Sequence, residues 1–206
     1  MEPAPASTLR KVSVSDIDTL VYILARAFID DPLFLWLLPD RFQRQRALQR
    51  SFAVQIRHIY LPLGECTLTE EHNGGAMWAP PGRWKLSIGQ QLQILPDFMH
   101  IFGMTRMQQL LRVFGQTEKL HAAEPPHWYL AGIGVDPAWQ RQGVGSALLR
   151  PVLDLCDMDG LPAYLETANP RSLEFYAQHG FAVRHVVTVP NAPPVWLLRR
   201  QSHAPV

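Results

Sequence analysis

The sequence has few cysteines, little charge and no long apolar run, and each scarcity narrows the possible functions. Its two cysteines, Cys66 and Cys156, form no C-x-x-C motif and no export segment is recognised, which favours a reducing cytoplasm over a disulfide framework. Charged residues make up 18% of the chain and the formal net charge is +1, so we expect no nucleic-acid partner. The apolar run at 33–38 is far shorter than the roughly 18 residues that cross a bilayer, so we expect no membrane association.

Metal-binding patterns are missing as well. The eight histidines form neither an H-E-x-x-H motif nor a Cys/His cluster, so we predict no metal site. The densest basic run, which includes Arg41 and Arg44, alternates with glutamines and is typical of a solvated helix face. A chain of 206 residues has the size of one domain. We therefore predict a flexible tail at 1–8 and a single domain at 9–206.

Hydrophobic periodicity and turn signals predict an α/β (α+β) fold in which helices flank one mixed sheet. The dipeptide Asn73-Gly74 predicts a tight hairpin turn, and Pro151 is expected to kink or shorten the helix that contains it. The residues at 80–126 form a helical insertion. The predicted elements in chain order are a strand at 9–14, helices at 15–28 and 40–61, hairpin strands at 65–71 and 75–79, helices at 88–102 and 104–120, a strand ending at Val135, a helix after Gly145, a strand at 163–167, a helix from 169 to 180, and strands at 181–189 and 195–199.

The most informative stretch runs from His127 to Ser146. An apolar strand pattern stops at Asp136-Pro137 and continues into a glycine-rich turn that opens a helix. Gly143 and Gly145 allow a tight turn that brings backbone N–H groups close to an anion, and the helix dipole adds partial positive charge. This arrangement predicts a pyrophosphate pocket, although a tight turn without a ligand would give the same pattern.

The loop does not match the common nucleotide motifs. The dinucleotide fingerprint G-x-G-x-x-G is incomplete here, and no Lys-Ser or Lys-Thr pair follows Gly145 as a Walker loop requires. The remaining pattern is Q-x-x-G-x-G at 140–145. It resembles the acetyl-CoA pyrophosphate loop of the GNAT superfamily of N-acetyltransferases.

A second block downstream strengthens this resemblance. Leu165-Glu166-Thr167, Phe175-Tyr176 and Gly180-Phe181 are similar to the second conserved block of the superfamily. Within the superfamily, the stretch at 127–183 most resembles puromycin N-acetyltransferase and its bacterial relatives. The resemblance implies the GNAT fold, a mostly antiparallel sheet whose central strands splay apart at the acetyl-CoA site.

The resemblance also assigns roles to individual residues. Tyr176 would be the general acid for the departing thiolate, since a phenol stays protonated at neutral pH. Apart from the resemblance, the position of Glu166 on the strand facing the cleft makes it the candidate that takes the proton from the amine, directly or through water. Strand parity could instead turn Glu166 outward, or Glu166 could form a structural ion pair with Arg171. The residues implied to bind acetyl-CoA are Ile133, Gly134 and Val135 on the strand, Arg141, Gln142, Gly143, Val144, Gly145 and Ser146 in the loop, and Asn169 and Tyr176 downstream.

The implied acceptor pocket lies between the first helices and the sheet. Asp30, Asp31 and Trp36 would form its wall and favour a cationic amine, while Tyr129 and His127 would line the cleft. We therefore expect acetyl transfer from acetyl-CoA to a primary amine of a small molecule, by a monomer or homodimer. Two alternatives remain open. The chain could be an acyl-CoA sensor without turnover, or it could be a protein or peptide N-acetyltransferase.

Overall fold

The computed structural model describes residues 8–203, and in that range seven strands form one sheet with the order β1-β2-β3-β4-β5-β7-β6. All neighbouring strands are antiparallel except β4 and β5, which are parallel. This confirms the predicted mixed, mostly antiparallel sheet. The strands are β1 (Leu9–Lys11), β2 (Cys66–Thr69), β3 (Gly74–Ala79), β4 (Trp128–Val135), β5 (Ala163–Thr167), β6 (Phe181–Val187) and β7 (Val195–Arg200).

Helices cover both faces of this sheet. Buried side chains of α1 and α3 pack with Leu68 and Met77 on one face, and those of α5 pack with Trp78 and Leu165 on the other. The helices are α1 (Ile17–Ala27), α2 (Pro32–Leu37), α3 (Arg41–Gln55), α4 (Ile88–His121), α5 (Val144–Asp159) and α6 (Leu173–Gln178). Across residues 8–203, no helix combines the length and apolar character that a membrane crossing demands.

The N-terminal part of the fold differs from the prediction. Strand β1 ends at Lys11 rather than residue 14, because Ser13 and Asp16 form a capping box around a 3₁₀ turn and α1 begins only at Ile17. The predicted tail falls outside the described residues except for Thr8. The Thr8 carbonyl accepts a hydrogen bond from the backbone N–H of Glu70, 3.0 Å away.

The hairpin between β2 and β3 is wider than predicted. Four residues connect the strands, and the positive φ of 54° belongs to His72 instead of the Asn73-Gly74 pair. The Asn73 side chain turns inward and accepts a hydrogen bond from the Thr69 hydroxyl at 2.8 Å. Gly74 lies within β3, where a Cβ atom would come 2.7 Å from Val144, so its small size serves the packing of α5.

The predicted solvated basic face of α3 is confirmed for Arg41, Arg46 and Arg50, which are exposed, but not for Arg44. Arg44 is 3% exposed, because its guanidinium donates to the carbonyls of Ile29, Leu38 and Pro39 and joins α3 to the chain around α2. The prediction that Pro151 shortens its helix is wrong. Helix α5 runs through Pro151 for 16 residues without ending. Pro151 is exposed, on the solvent side of α5, where a helix tolerates the loss of one backbone hydrogen bond best.

The insertion contains the two predicted helical segments within α4. They meet at Gly103, whose φ of 71° and ψ of 170° interrupt the helix. Only glycine adopts these angles without strain. The break turns the second segment so that its last residue, His121, packs against Tyr129 and Tyr164 of the sheet.

Candidate active site

A notch opens in the sheet where β4 and β5 separate. Among the described residues, the two strands pair at Trp128 to Leu130 with Ala163 to Leu165, and no further. Strand β4 then continues to Val135 and β5 to Thr167. The facing edges beyond Leu130 therefore offer backbone donors and acceptors to an extended ligand.

A β-bulge at Ala131 lies where the notch begins. Met77 pairs with Gly132 and Trp78 with Leu130, so Ala131 is an extra residue in β4. Because of this extra residue, odd-numbered side chains after the bulge lie on the opposite face of the sheet from odd-numbered side chains before it. Tyr129 and Ala131 pack toward α1, whereas Ile133 and Val135 pack toward α5.

The loop after β4 is held by its own side chains. The Asp136 carboxylate accepts from the backbone N–H of Ala138 at 3.0 Å and from Arg26 Nε of α1 at 2.7 Å. The Gln140 side-chain amide donates to the carbonyl of Val135 at 3.1 Å. These bonds fix the entry to α5 at the end of the notch.

The end of this loop has the backbone geometry of an anion site. Arg141 and Gly143 have positive φ angles of 61° and 84°, and α5 begins at Val144. The N–H groups of the first helical turn, including those of Gly145 and Ser146, lack acceptors within the helix. They point toward the open loop together with the positive end of the helix dipole.

The glycines of this region serve different purposes. A Cβ at Gly145 would come 3.1 Å from the Phe175 ring, and one at Gly134 would come 2.8 Å from Ala27 Cβ. Packing therefore explains both of these glycines. Gly143 has open space at its Cβ position, and its positive φ is what favours glycine there.

Tyr176 lies on α6, just after β5. Its ring packs against Phe175 and Phe181 with centroid distances of 5.3 and 5.9 Å. Burial raises the pKa of the Tyr176 phenol, and the nearby Asp31 carboxylate raises it further. The hydroxyl therefore keeps its proton at neutral pH.

The three residues proposed to form the acceptor wall lie in different surroundings. The Asp31 carboxylate accepts from the backbone N–H of Leu33 at 2.9 Å and caps α2, and burial raises the pKa of this carboxyl group. Asp30 is exposed and lies 3.3 Å from Arg41. Trp36 packs on the cluster that contains Leu37. The structure thus brings Asp31 near Tyr176, and places Asp30 at the surface.

Glu166 faces the α4 side of the sheet, and its side chain is 11% exposed. Its Oε2 accepts from the Tyr129 hydroxyl at 2.9 Å, and its Oε1 lies 3.4 Å from His121 Nδ1. Burial and the Glu166 charge raise the pKa of Tyr129 well above its usual value. The Glu166 side chain therefore points into the protein. Arg171, the alternative partner expected from the sequence, is exposed instead.

His121 and Trp84 were not anticipated from the sequence. The His121 ring stacks between Trp84 and Tyr164, with centroid distances of 3.8 and 4.3 Å. Both residues come from the insertion at 80–126, which carries no motif that could have indicated them. His127 lies behind His121, with 2.7 Å between their Nε2 atoms.

A cleft of about 440 Å³ lies between α5 and the C-terminal end of α6. Its lining includes Ser146 and Arg150 of α5 together with Gln178 and Gly180. Asn169 caps the turn before α6 by accepting from the backbone N–H of Arg171 at 3.1 Å. Within residues 8–203, no group of three or more His, Cys, Asp or Glu side chains is arranged to hold a metal ion.

Comparison with known proteins agrees with this geometry. Residues 99–181 match the model of the Acetyltransferase (GNAT) family. An uncharacterized N-acetyltransferase of Schizosaccharomyces pombe is 24% identical over 186 residues, covering 86% of this chain and 75% of the relative.

Solved structures extend the match to nearly the whole chain. A Corynebacterium glutamicum protein described as "histone acetyltransferase HPA2 and related acetyltransferase" has a TM-score of 0.70 and 23% identity, with 98% of this chain and 99% of that chain covered. An agmatine N-acetyltransferase has a TM-score of 0.62 and 13% identity, with 95% and 99% covered. The sheet of this chain, with its splayed β4 and β5, is therefore the GNAT fold. The family match over residues 99–181 and the curated relative indicate that the chain is an acetyltransferase enzyme similar to the GNAT family.

Proposed function

We propose that the chain transfers an acetyl group from acetyl-CoA to a primary amine of a small molecule by direct attack on the thioester. One observation carries this proposal. The unpaired edge of β4 leads into the anion loop, and the protonated Tyr176 follows β5 on α6, so we expect these parts to form one binding surface. Acetyl-CoA needs such a surface, because it combines a pyrophosphate, an extended amide arm and a thioester.

The residues of this surface fit the successive parts of acetyl-CoA. The backbone of Ile133, Gly134 and Val135 would bond the extended arm along the unpaired edge of β4. The N–H groups of Arg141 through Ser146 would hold the pyrophosphate at the start of α5. Arg150 in the cleft between α5 and α6 would place a positive charge near the nucleotide end.

Tyr176 is the proposed general acid. Acetyl-CoA supplies an acetyl group that is activated as a thioester, and the thiolate of CoA leaves when the amine attacks. The Tyr176 hydroxyl would donate its proton to that sulfur. Its raised pKa keeps the proton in place until the leaving group develops charge.

Glu166 is the proposed proton acceptor for the amine. Its carboxylate is largely buried but accepts from Tyr129, so its position is fixed. This supports proton removal by Glu166 directly or through one water molecule.

Direct attack is favoured over an acetyl-enzyme route. Cys66 and Cys156 are both buried, and burial raises the pKa of each thiol to about 12. A nucleophilic cysteine needs an accessible thiolate instead. Both cysteines are free, which also supports a cytoplasmic location.

A small cationic amine is the proposed acceptor. Asp31 lies near Tyr176 and offers a negative charge beside the acid. The insertion places Trp84 and His121 over β4 and β5, which narrows this side of the site. Agmatine, the substrate of a structurally similar enzyme, is a suitable first acceptor to test, and puromycin tests the likeness seen in the sequence. Monomer and homodimer are both compatible with this surface.

The proposal is tested by acetyl-CoA titration calorimetry and by a thiol-release assay on a panel of acceptors. The panel contains agmatine, puromycin, an arylalkylamine and a peptide with a free N-terminus. Tyr176→Phe should lower kcat by about 10²-fold or more while acetyl-CoA still binds. Tyr22→Phe, at an exposed tyrosine, is the matched control and should behave as the unaltered protein.

Each result distinguishes the open alternatives. Release with small amines alone supports the proposal, and release with the peptide alone would replace it by peptide acetylation. Binding without release from any acceptor would favour an acyl-CoA sensor. Absence of acetyl-CoA binding would contradict the whole assignment of the loop.

A further inference from the structure

We propose that His121 and His127 form a proton relay that carries the amine proton from Glu166 toward the surface at Pro125. The proposal rests on the proposed function, because it concerns the proton that Glu166 removes. Four groups lie in line. Glu166 Oε1 is 3.4 Å from His121 Nδ1, the two Nε2 atoms are 2.7 Å apart, and His127 Nδ1 is 2.6 Å from the Pro125 carbonyl oxygen.

The hydrogen bonds determine where the protons of His127 lie. A carbonyl oxygen accepts and never donates, so the proton of His127 is on Nδ1, facing Pro125. Burial lowers the pKa of His127, which keeps the ring neutral. Its Nε2 is therefore a free lone pair that accepts a hydrogen bond.

The same reasoning then fixes His121. Its Nε2 must carry a proton, because the facing Nε2 of His127 can only accept. The remaining nitrogen, Nδ1, lies near Glu166. A proton that arrives on Glu166 thus has the Nδ1 atom of His121 as a neighbouring acceptor.

The transfer balances without any further reactant. Glu166 receives the amine proton and passes it to Nδ1 of His121, while the Nε2 proton of His121 moves to Nε2 of His127. His127 then holds protons on both nitrogens and releases the Nδ1 proton to water near the exposed residues Pro125 and Pro126. Each bond to hydrogen that forms replaces one that breaks, so one proton is moved and both rings end in the opposite tautomer. The rings must return to their starting tautomers by proton exchange with water before the next turnover.

The surroundings of the relay keep it aligned and dry. Trp84 and Tyr164 stack on the two faces of the His121 ring, and Tyr129 holds the other oxygen of Glu166. His121 and His127 are each 2% exposed. Three titratable side chains lie near the Glu166 end of the relay, which are Tyr60, Tyr129 and Tyr164. Near His127 lies the ion pair of Glu124 with Arg199, whose charged atoms are 2.9 Å apart.

Two substitutions at His121 separate proton transfer from structural roles. His121→Phe keeps an aromatic ring between Trp84 and Tyr164 but removes both nitrogens. His121→Gln keeps a hydrogen-bonding group but removes the stacking ring and the proton transfer. His100→Gln, at an exposed histidine of α4, is the control.

Loss of the relay should slow both variants in the same way. We expect kcat to fall about tenfold or more in each, since general-base assistance is worth about 10²- to 10⁴-fold in all. The KM values for acetyl-CoA and the amine should stay within about twofold, and the solvent deuterium isotope effect on kcat should increase as proton departure becomes rate-limiting. Wild-type kcat in the Phe variant would identify a stacking role, and wild-type kcat in the Gln variant a hydrogen-bonding role. Either result overturns the relay.

A measurement without turnover tests the relay separately from the proposed function. Nitrogen-15 NMR of the histidine rings should show His127 protonated at Nδ1 and His121 at Nε2. Glu166→Gln should shift the Nδ1 resonance of His121 and leave that of His100 unchanged. Opposite tautomers, or a His121 resonance insensitive to Glu166, would overturn the relay even if the acetyltransferase activity is found.

Discussion

Asp31 illustrates how a single carboxylate at this site has two roles. It caps α2 through the N–H of Leu33 and lies close enough to Tyr176 to raise the pKa of the phenol. Asparagine caps a helix about as well as aspartate, so Asp31→Asn removes the charge but keeps the cap. The substitution therefore separates acceptor recognition from folding.

For Asp31→Asn we expect a rise of about tenfold in KM for a cationic amine, since one charge interaction at a partly buried site is worth about 1–2 kcal/mol. Acetyl-CoA affinity should stay the same. Asp30→Asn, at the exposed neighbour, is the control and should leave both constants near those of the unaltered enzyme. Unchanged amine KM in Asp31→Asn would remove Asp31 from the acceptor pocket.

His127 gives a prediction about stability and pH. Its pKa is lowered in the folded protein, so the unfolded chain binds the proton more readily than the folded one. The free energy of unfolding should therefore rise with pH below about 6.5, the ordinary histidine pKa, and level off above it. Urea unfolding between pH 5 and 8 measures this. His127→Gln should flatten the rise, and His100→Gln should retain it.

Single residues also show what the sequence could reveal. Tyr176 and the loop at 140–145 carry a local pattern, so they could be located in advance. The direction of the Glu166 side chain depends on strand register and on the partners that cross the sheet, which the sequence does not display. His121 lies 45 residues before Glu166 along the chain, and tertiary packing alone brings them together.

At the level of elements, helix α4 depends on the break at Gly103. An alanine there would be held at a φ of 71° and a ψ of 170°, a conformation that costs a residue with a side chain about 1–3 kcal/mol. Gly103→Ala should therefore lower the free energy of unfolding by about that amount.

Gly115 in the same helix is the matched control for this prediction. It has an ordinary helical backbone and open space at its Cβ position, so Gly115→Ala should stabilise the protein by up to about 1 kcal/mol. Urea denaturation of the two variants measures both effects. Equal stabilities for the two variants would mean that α4 continues through residue 103.

Element boundaries were predicted well where a local signal dominates. The break between 102 and 104 and the strands from 128 onward follow from glycine position and apolar periodicity. The turn at 70–73 and the start of α1 were misplaced, because buried contacts of Asn73 and the capping box of Ser13 outweigh the usual turn and cap signals.

For the whole molecule, the GNAT sheet and the insertion make separate contributions. The sheet provides the notch and the loop, and the loop could be located from the glycine motif at 140–145. The insertion provides Trp84 and His121, which complete the surroundings of Glu166 and have no sequence signature. We expect this division to hold in function, with the sheet determining the reaction and the insertion influencing the acceptor.

A labelled acetyl group shows whether the chain transfers acetyl directly from acetyl-CoA to an amine. The protein is mixed with carbon-13 acetyl-CoA and the amine that gives thiol release, and the products are followed by mass spectrometry. We predict one labelled acetyl-amine for each CoA released, with no labelled protein at Cys66 or Cys156. A labelled protein that precedes the product, or thiol release without an acetylated amine, would contradict direct acetyl transfer.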